Sequence, residues 1–389
     1  VFIRSMKGSN YQLAFLFQFS MLVFIFLIFF NAIRKRIKNK KKMLRVTALI
    51  TRLPLILVFL FPRDEATMVQ NPQFHFIFLG LFLFYYFGNI IIFPAINVLL
   101  KTNYSHQNFG KLYSYSTSLN KIILLAATFV YGLLLDKDPF VFVYVIPAIA
   151  LLSFISIFFL SQINYYEVKQ ETRGRNVWES VKLSVNGMIN ILKSNKPYMH
   201  FEIGFMLYGF AFMATYPLIN IFFKEELDLN YTSVAFYKNS YNILAIILLP
   251  FFGRLLGKID PRKFASLTFA SLMLYLIFLM LTEYFPNYAQ VWDIRFYLTL
   301  IISFIFYGVF AASMPLLWNI GSAYFCKPHE ADDYQSLHLS LTGLRSVFSP
   351  VAGVFLLGII GFSWTFLISI FILLFAMWLM RWSYKKDKE

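Results

Sequence analysis

Cysteine is nearly missing from this chain: Cys326 is the only one in 389 residues, so no intramolecular disulfide can form. Histidine is scarce too, with five residues, and no Cys/His cluster has metal-ligand spacing, so neither a metal site nor a cofactor is expected. No Gly-rich phosphate loop of the Walker type interrupts the chain, which argues against direct ATP hydrolysis. Charge itself is sparse, 14% of residues against 59% hydrophobic and 20% aromatic, and a soluble surface cannot be built from that mixture. The composition implies an all-α polytopic membrane protein.

What charge there is leans one way, 35 Lys and Arg against 19 Asp and Glu, a net +16. Stacking aromatics are not interleaved with the basic run RKRIKNKKKMLR at 34–45, so nucleic-acid binding does not explain it. Its placement does. Apolar windows long enough to cross about 30 Å of hydrocarbon fall at 11–33, 44–62, 75–100, 112–135 and 138–162, then at 198–223, 231–253, 264–283, 296–320, 334–359 and 361–382. Basic residues collect in alternate loops between these spans and in the tail Arg381, Lys385, Lys386 and Lys388, which places that side and the C-terminus in the cytoplasm. The expected location is a cell membrane, the inner membrane of a bacterium.

Domain organisation follows from an internal repeat. Sliding the chain by 220 residues lays VFIRSMKGSNY on IFFKEELDLNY: Phe2 meets Phe222, and Asn10-Tyr11 meets Asn230-Tyr231. The register continues through Arg34 on Arg254, Lys38 on Lys258 and Gly88 on Gly308. One residue later in offset, it continues through Pro94 on Pro315, Tyr113 on Tyr334 and Gly132 on Gly353. Two pseudo-symmetric helical bundles result, 1–162 and 198–389, joined by a connector at 163–197. In that connector Val177, Trp178, Val181, Val185, Met188, Ile189 and Leu192 recur at helical spacing, as in an amphipathic surface helix. The counterpart of the span at 198–223 would end at Val1-Phe2-Ile3. The chain is therefore expected to carry eleven spans of a six-plus-six protein and to lack the first.

Two like-oriented six-helix halves make a parallel repeat, an arrangement that resembles the major facilitator superfamily over the whole chain. GRLLGKIDPRKF at 253–264 is similar to that family's loop signature G-x-L-x-D-x-x-G-x-R-[RK], with Gly253, Arg254, Asp260, Arg262 and Lys263 as the conformational loop residues. Gly257 stands where the family has Asp and Asp260 where it has Gly, so the family's charge latch does not carry over directly. DDYQSLHLSLTGLRSVFSPVAG at 332–353 also looks like an eleventh helix of bacterial members. The resemblance implies secondary transport of a small solute by alternating access, by a monomer in a lipid bilayer.

Ionisable groups inside spans cost roughly 2.5–3.5 kcal/mol each on insertion scales, so each needs a reason. Arg52 precedes Leu53-Pro54 and reads as a kink held by carbonyls. Lys238 lies near a span end, within snorkelling reach, and Glu202 is the one acid, the group available to a coupling proton. Lys121 and Arg345 lie about ten residues deep on repeat-related helices and are expected to face one another across the pseudo-twofold axis. Four cations against one acid favour an anionic or carboxylate-bearing solute. On helices that the resemblance assigns to the cavity, Asn89, Asn97, Tyr208, Tyr216, Asn220 and Asn319 are the neutral candidates. Two other readings compete. A polytopic transferase would cluster acids and histidines at one face, and HEADDYQSLH at 329–338, the nearest approach, reads better as a helix cap. A transporter-fold receptor or assembly factor is consistent with the altered loop signature.

Overall fold

The computed structural model describes residues 6–8, 12, 16, 19–27, 29–30, 37, 39–104, 106–163, 177–291 and 294–388. The expected helix end at 1–3, much of the span at 11–33, part of the basic loop and the connector residues 164–176 lie outside these.

Helix α1 (Lys40–Arg52) starts where the Asn39 side chain accepts a hydrogen bond from the Lys42 amide. Pro54 has no N–H to donate, and Leu53–Leu60 winds on as a tighter 3-10 run that completes the span. Asp64 caps the short α2 (Glu65–Gln70) by accepting from the Thr67 amide. The apolar window at 75–100 is two helices, α3 (Gln73–Phe87) and α4 (Asn89–Asn103), broken at Gly88. A Cβ at Gly88 would lie 2.5 Å from Thr51 Oγ1, so the break sits where α3 and α4 press on α1. Then come α5 (His106–Lys137), α6 (Phe142–Leu160) and α7 (Val177–Ser194). The stripe expected on α7 is split, with Val181 and Met188 buried and Trp178 and Ile189 exposed.

Helices α8 (Lys196–Glu225), α9 (Tyr231–Leu256) and α10 (Pro261–Tyr284) each begin on a side-chain cap, from Asn195, Asn230 and Asp260. A β-hairpin, β1 (Tyr288–Val291) and β2 (Ile294–Tyr297), joins α10 to α11 (Leu298–Ile320). Its Arg295 reaches back to Asp228 in the α8–α9 loop, 2.7 Å to the carbonyl and 3.3 Å to the carboxylate. Sequence patterning gave no sign of this hairpin. The chain ends in α12 (Ala331–Lys386), interrupted at Gly361, whose φ of 77° only glycine adopts without strain.

Eight described helices are long and apolar enough to cross a membrane. One of them, Pro328–Lys386, carries the two spans expected at 334–359 and 361–382. The window at 112–135 falls in the 32-residue α5, which is not one of the eight. Large apolar side chains cover the outside, with Leu60 73%, Val351 68% and Ile247 67% exposed, a surface suited to lipid and not to water. The fold is all-α and polytopic.

Two compact units make up the chain. The first comprises 1–103, 123–189 and 327–343, the second 104–122, 190–326 and 344–389. In the first, Leu55, Val58, Phe78, Phe142 and Ile146 share one core cluster. Here the Arg52 guanidinium donates to the Tyr85 carbonyl (3.0 Å) and Asn89 Oδ1 (2.8 Å) and stacks 3.8 Å from the Tyr85 ring centre. Arg52 thus ties the end of α1 to α3 and α4, where the chain passes into the 3-10 run. The second unit is built on aromatic rings, among them the fully buried Phe201, Phe205, Phe264 and Phe269.

Candidate functional site

Within the second unit four helices line an open cleft, with about 530 Å³ of empty space that includes the solvent at its mouth. Helix α8 contributes Phe212, Thr215, Tyr216, Ile219, Asn220 and Phe223, a run at 3–4-residue spacing that puts them on one face. Lys238 and Tyr241 come from α9, Leu272 and Tyr275 from α10, and Phe304 and Tyr307 from α11. Tyr216, 55% exposed, stands at the mouth, and Tyr275, 2% exposed, at the floor. The rings are locked together: Tyr307 lies 4.6 Å from both Tyr241 and Tyr275, and Phe304 stacks on Tyr241 at 15°.

Among the described lining residues Lys238 is the one charged group. Its ammonium donates to Asn220 Oδ1 at 2.9 Å, and Asn220 in turn donates to the Tyr216 carbonyl. One turn along α9, Asn242 donates to the Lys238 carbonyl and presents its own Oδ1 to Lys121 Nζ at 3.5 Å. Both lysines therefore rest on neutral amide oxygens, and among the described residues no carboxylate lies within 4 Å of either. For a cation inside a membrane span this is an uncompensated arrangement.

Lys121 closes a line of contacts between α5 and α9. Gly110 and Gly253 cross so closely that a Cβ on either would come within 2.6 Å of the other's carbonyl oxygen. Arg254 donates to the Tyr115 hydroxyl at 3.1 Å and Ser118 to the Ile246 carbonyl at 3.5 Å, before the line ends at Lys121 and Asn242. From Ile123 the chain belongs to the first unit.

Arg345 is placed differently. It is 2% exposed, donates to the Phe205 carbonyl, and holds its guanidinium 5.7 Å from the Tyr208 ring centre. Glu202, equally buried, acts on it electrostatically, and a Cβ on Gly209 would collide with it. The guanidinium thus clamps α12 to α8. Lys121 and Arg345, related by the repeat, reach different neighbours, Asn242 and Phe205, because repeat symmetry says nothing of what each long side chain meets.

The other candidates divide in the same way. Tyr216 and Asn220 line the cleft, whereas Tyr208 packs face to face on Phe269 at 5.0 Å, outside the lining. Asn319 donates to the Pro315 carbonyl, about 18 Å along α11 from Tyr307 at 1.5 Å per residue. In the first unit Asn89 is the acceptor for Arg52. Asn97 lies on α4, with its side chain outside the described set. At the basic-loop end, Asp260 grips Arg262 with both oxygens (3.0 and 2.9 Å), while Arg262 Nη1 meets the Ser383 carbonyl and Asp387 from the tail. A charge cluster does form there, its acids shifted from the positions of the loop signature. Lys263 lies over the Tyr384 ring at 4.2 Å.

Two lining residues, Tyr241 and Tyr275, and the neighbouring Asn242 were not singled out from the sequence. Tyr241 follows Lys238 by three residues, on the same helical face, and that spacing could have revealed it. Asn242, which links the two lysines, follows by four. Tyr275 carried no signal, since its helix was not among those assigned to the cavity.

The family model of the Major Facilitator Superfamily matches residues 5–297. Among solved structures, the E. coli fucose:proton symporter FucP superposes with a TM-score of 0.68 at 13% identity, covering 98% of this chain and 93% of that one. A bacterial homologue of the iron transporter ferroportin in an outward-facing state gives 0.69 at 13% identity, covering 98% and 93%. The human organic anion transporter TETRAN gives 0.61 at 12% identity, covering 94% and 83%. No curated protein matches the chain significantly in sequence.

Proposed function

The chain belongs to the Major Facilitator Superfamily, a multi-pass membrane transporter and not an enzyme, and from that premise we propose that it moves a small anionic solute by alternating access. One observation carries the reading: Lys238 and Lys121, in spanning helices, hydrogen-bond only to the neutral oxygens of Asn220 and Asn242. An anion in the cleft would supply the missing charge where the reduced dielectric strengthens the attraction. Lys238 is the binding cation. Lys121, at the end of the α5–α9 contact line, is the group to which the solute's charge passes as those helices part. Glu202 is the acid assigned to a coupling proton. By the positive-inside bias the basic loops and C-terminus are cytoplasmic, in a bacterial inner membrane, and one copy is the working unit.

The test is counterflow of a panel of radiolabelled carboxylates into proteoliposomes. Lys238→Met is expected to cut uptake of the transported carboxylate at least tenfold, and Lys121→Met to slow it comparably, with insertion unchanged. Uptake that survives both substitutions would refute the anion reading.

A further inference from the structure

The cleft offers more than one cation, and the rest of its polar inventory bears on what the solute looks like. Buried tyrosine hydroxyls ordinarily find a hydrogen-bond partner. Here the hydroxyls of Tyr216, Tyr275 and Tyr307 have none among the described residues, although Tyr275 is 98% buried by its exposure of 2%. None of the three is sealed among the enclosed polar atoms without partners, so each keeps access to the cleft's space. They lie close enough to act on one another electrostatically, a cluster of donors set deeper than Lys238. Tyr241 differs, having the Asn242 amide beside it.

The arrangement therefore has polar groups at different depths. Lys238 and Asn220 are exposed at the mouth, Tyr307 is half-buried and Tyr275 fully buried, and Phe212, Phe304 and Tyr241 supply aromatic walls. A simple apolar carboxylate would satisfy the mouth and leave the floor hydroxyls unmet, which costs binding free energy for each desolvated donor. A neutral polyol would satisfy the floor and leave Lys238 uncompensated. One class meets both. We propose that the solute is a sugar acid: a ring with an acidic group held by Lys238 at one end, hydroxyls bonded to Tyr275 and Tyr307 at the other, and C–H faces packed on the aromatic walls. This rests on the anion reading above and narrows it.

The experiment is isothermal titration of the purified full chain in lipid nanodiscs with three probes of similar size. D-Glucuronate has both features, cyclohexanecarboxylate only the acid, and D-glucose only the hydroxyls. Glucuronate is expected to bind at least tenfold more tightly than either of the others. Tyr275→Phe and Tyr307→Phe, which remove one oxygen each and leave the rings in place, should each weaken glucuronate by about five- to tenfold while leaving cyclohexanecarboxylate unchanged. Lys238→Met should abolish both carboxylates. If cyclohexanecarboxylate binds as tightly as glucuronate, or the tyrosine variants change nothing, the sugar-acid proposal fails and the anion reading stands. If glucose binds best and Lys238→Met does not matter, both fail. Both also fail if none of the three binds.

Discussion

At the scale of single residues, the four cations that the sequence places within spans have three different sets of partners. Arg52 spends its guanidinium on a carbonyl, an amide oxygen and a ring face. Arg345 has a carbonyl, a ring and a nearby carboxylate. Only the two lysines are left with neutral oxygens alone. Depth along a helix was legible from residue number, since rise per residue is fixed. The direction a long side chain takes, and what it meets, was not, because that depends on which helix packs alongside. Arg52 gives a direct check. Lysine keeps the charge but not the planar fork that bonds Tyr85 and Asn89 at once, so Arg52→Lys should lower stability by roughly 1–2 kcal/mol, read as a lower denaturation temperature in detergent. An unchanged temperature would mean the fork contributes nothing.

Helices themselves were read well. Each apolar window that falls on described residues became helix, and three helices start at the side-chain caps Asn195, Asn230 and Asp260, which hydropathy does not reveal. The breaks were harder. Gly88, Gly361 and the switch at Leu53 interrupt continuous apolar runs, and hydropathy is blind to them. Glycine also marks where helices touch. At Gly253 an added methyl would meet the backbone of Gly110, which cannot yield, so Gly253→Ala should force α5 and α9 apart and cost about 1–3 kcal/mol as overpacking. Gly187 in α7 faces open space, and there Gly187→Ala should stabilise by about 0.5–1 kcal/mol through helix propensity. The opposite signs, measured in one series of thermal melts, separate contact from propensity. Two shifts of equal sign would show that the α5–α9 crossing is looser than described.

For the molecule as a whole, length, hydropathy and the repeat were enough to reach the fold class and the family, because both are set by how often the chain crosses the membrane and by its internal offset. The compact units follow a different division, taking 104–122 into the second and 327–343 into the first. Sequence symmetry cannot anticipate that, since it depends on where helices from different halves pack. The cleft was partly legible: Tyr216, Asn220 and Lys238 were named as polar groups within spans, while Tyr241 and Tyr275 line it only because of the helices that surround them.

On the proposed function Lys238 selects the charge of what is carried, and charge reversal at that position tests this most directly. With Lys238→Glu in proteoliposomes, uptake of the carboxylate carried by the parent protein is expected to fall at least a hundredfold, since attraction at the mouth becomes repulsion. Carboxylate uptake by the reversed variant at the parent rate would contradict it.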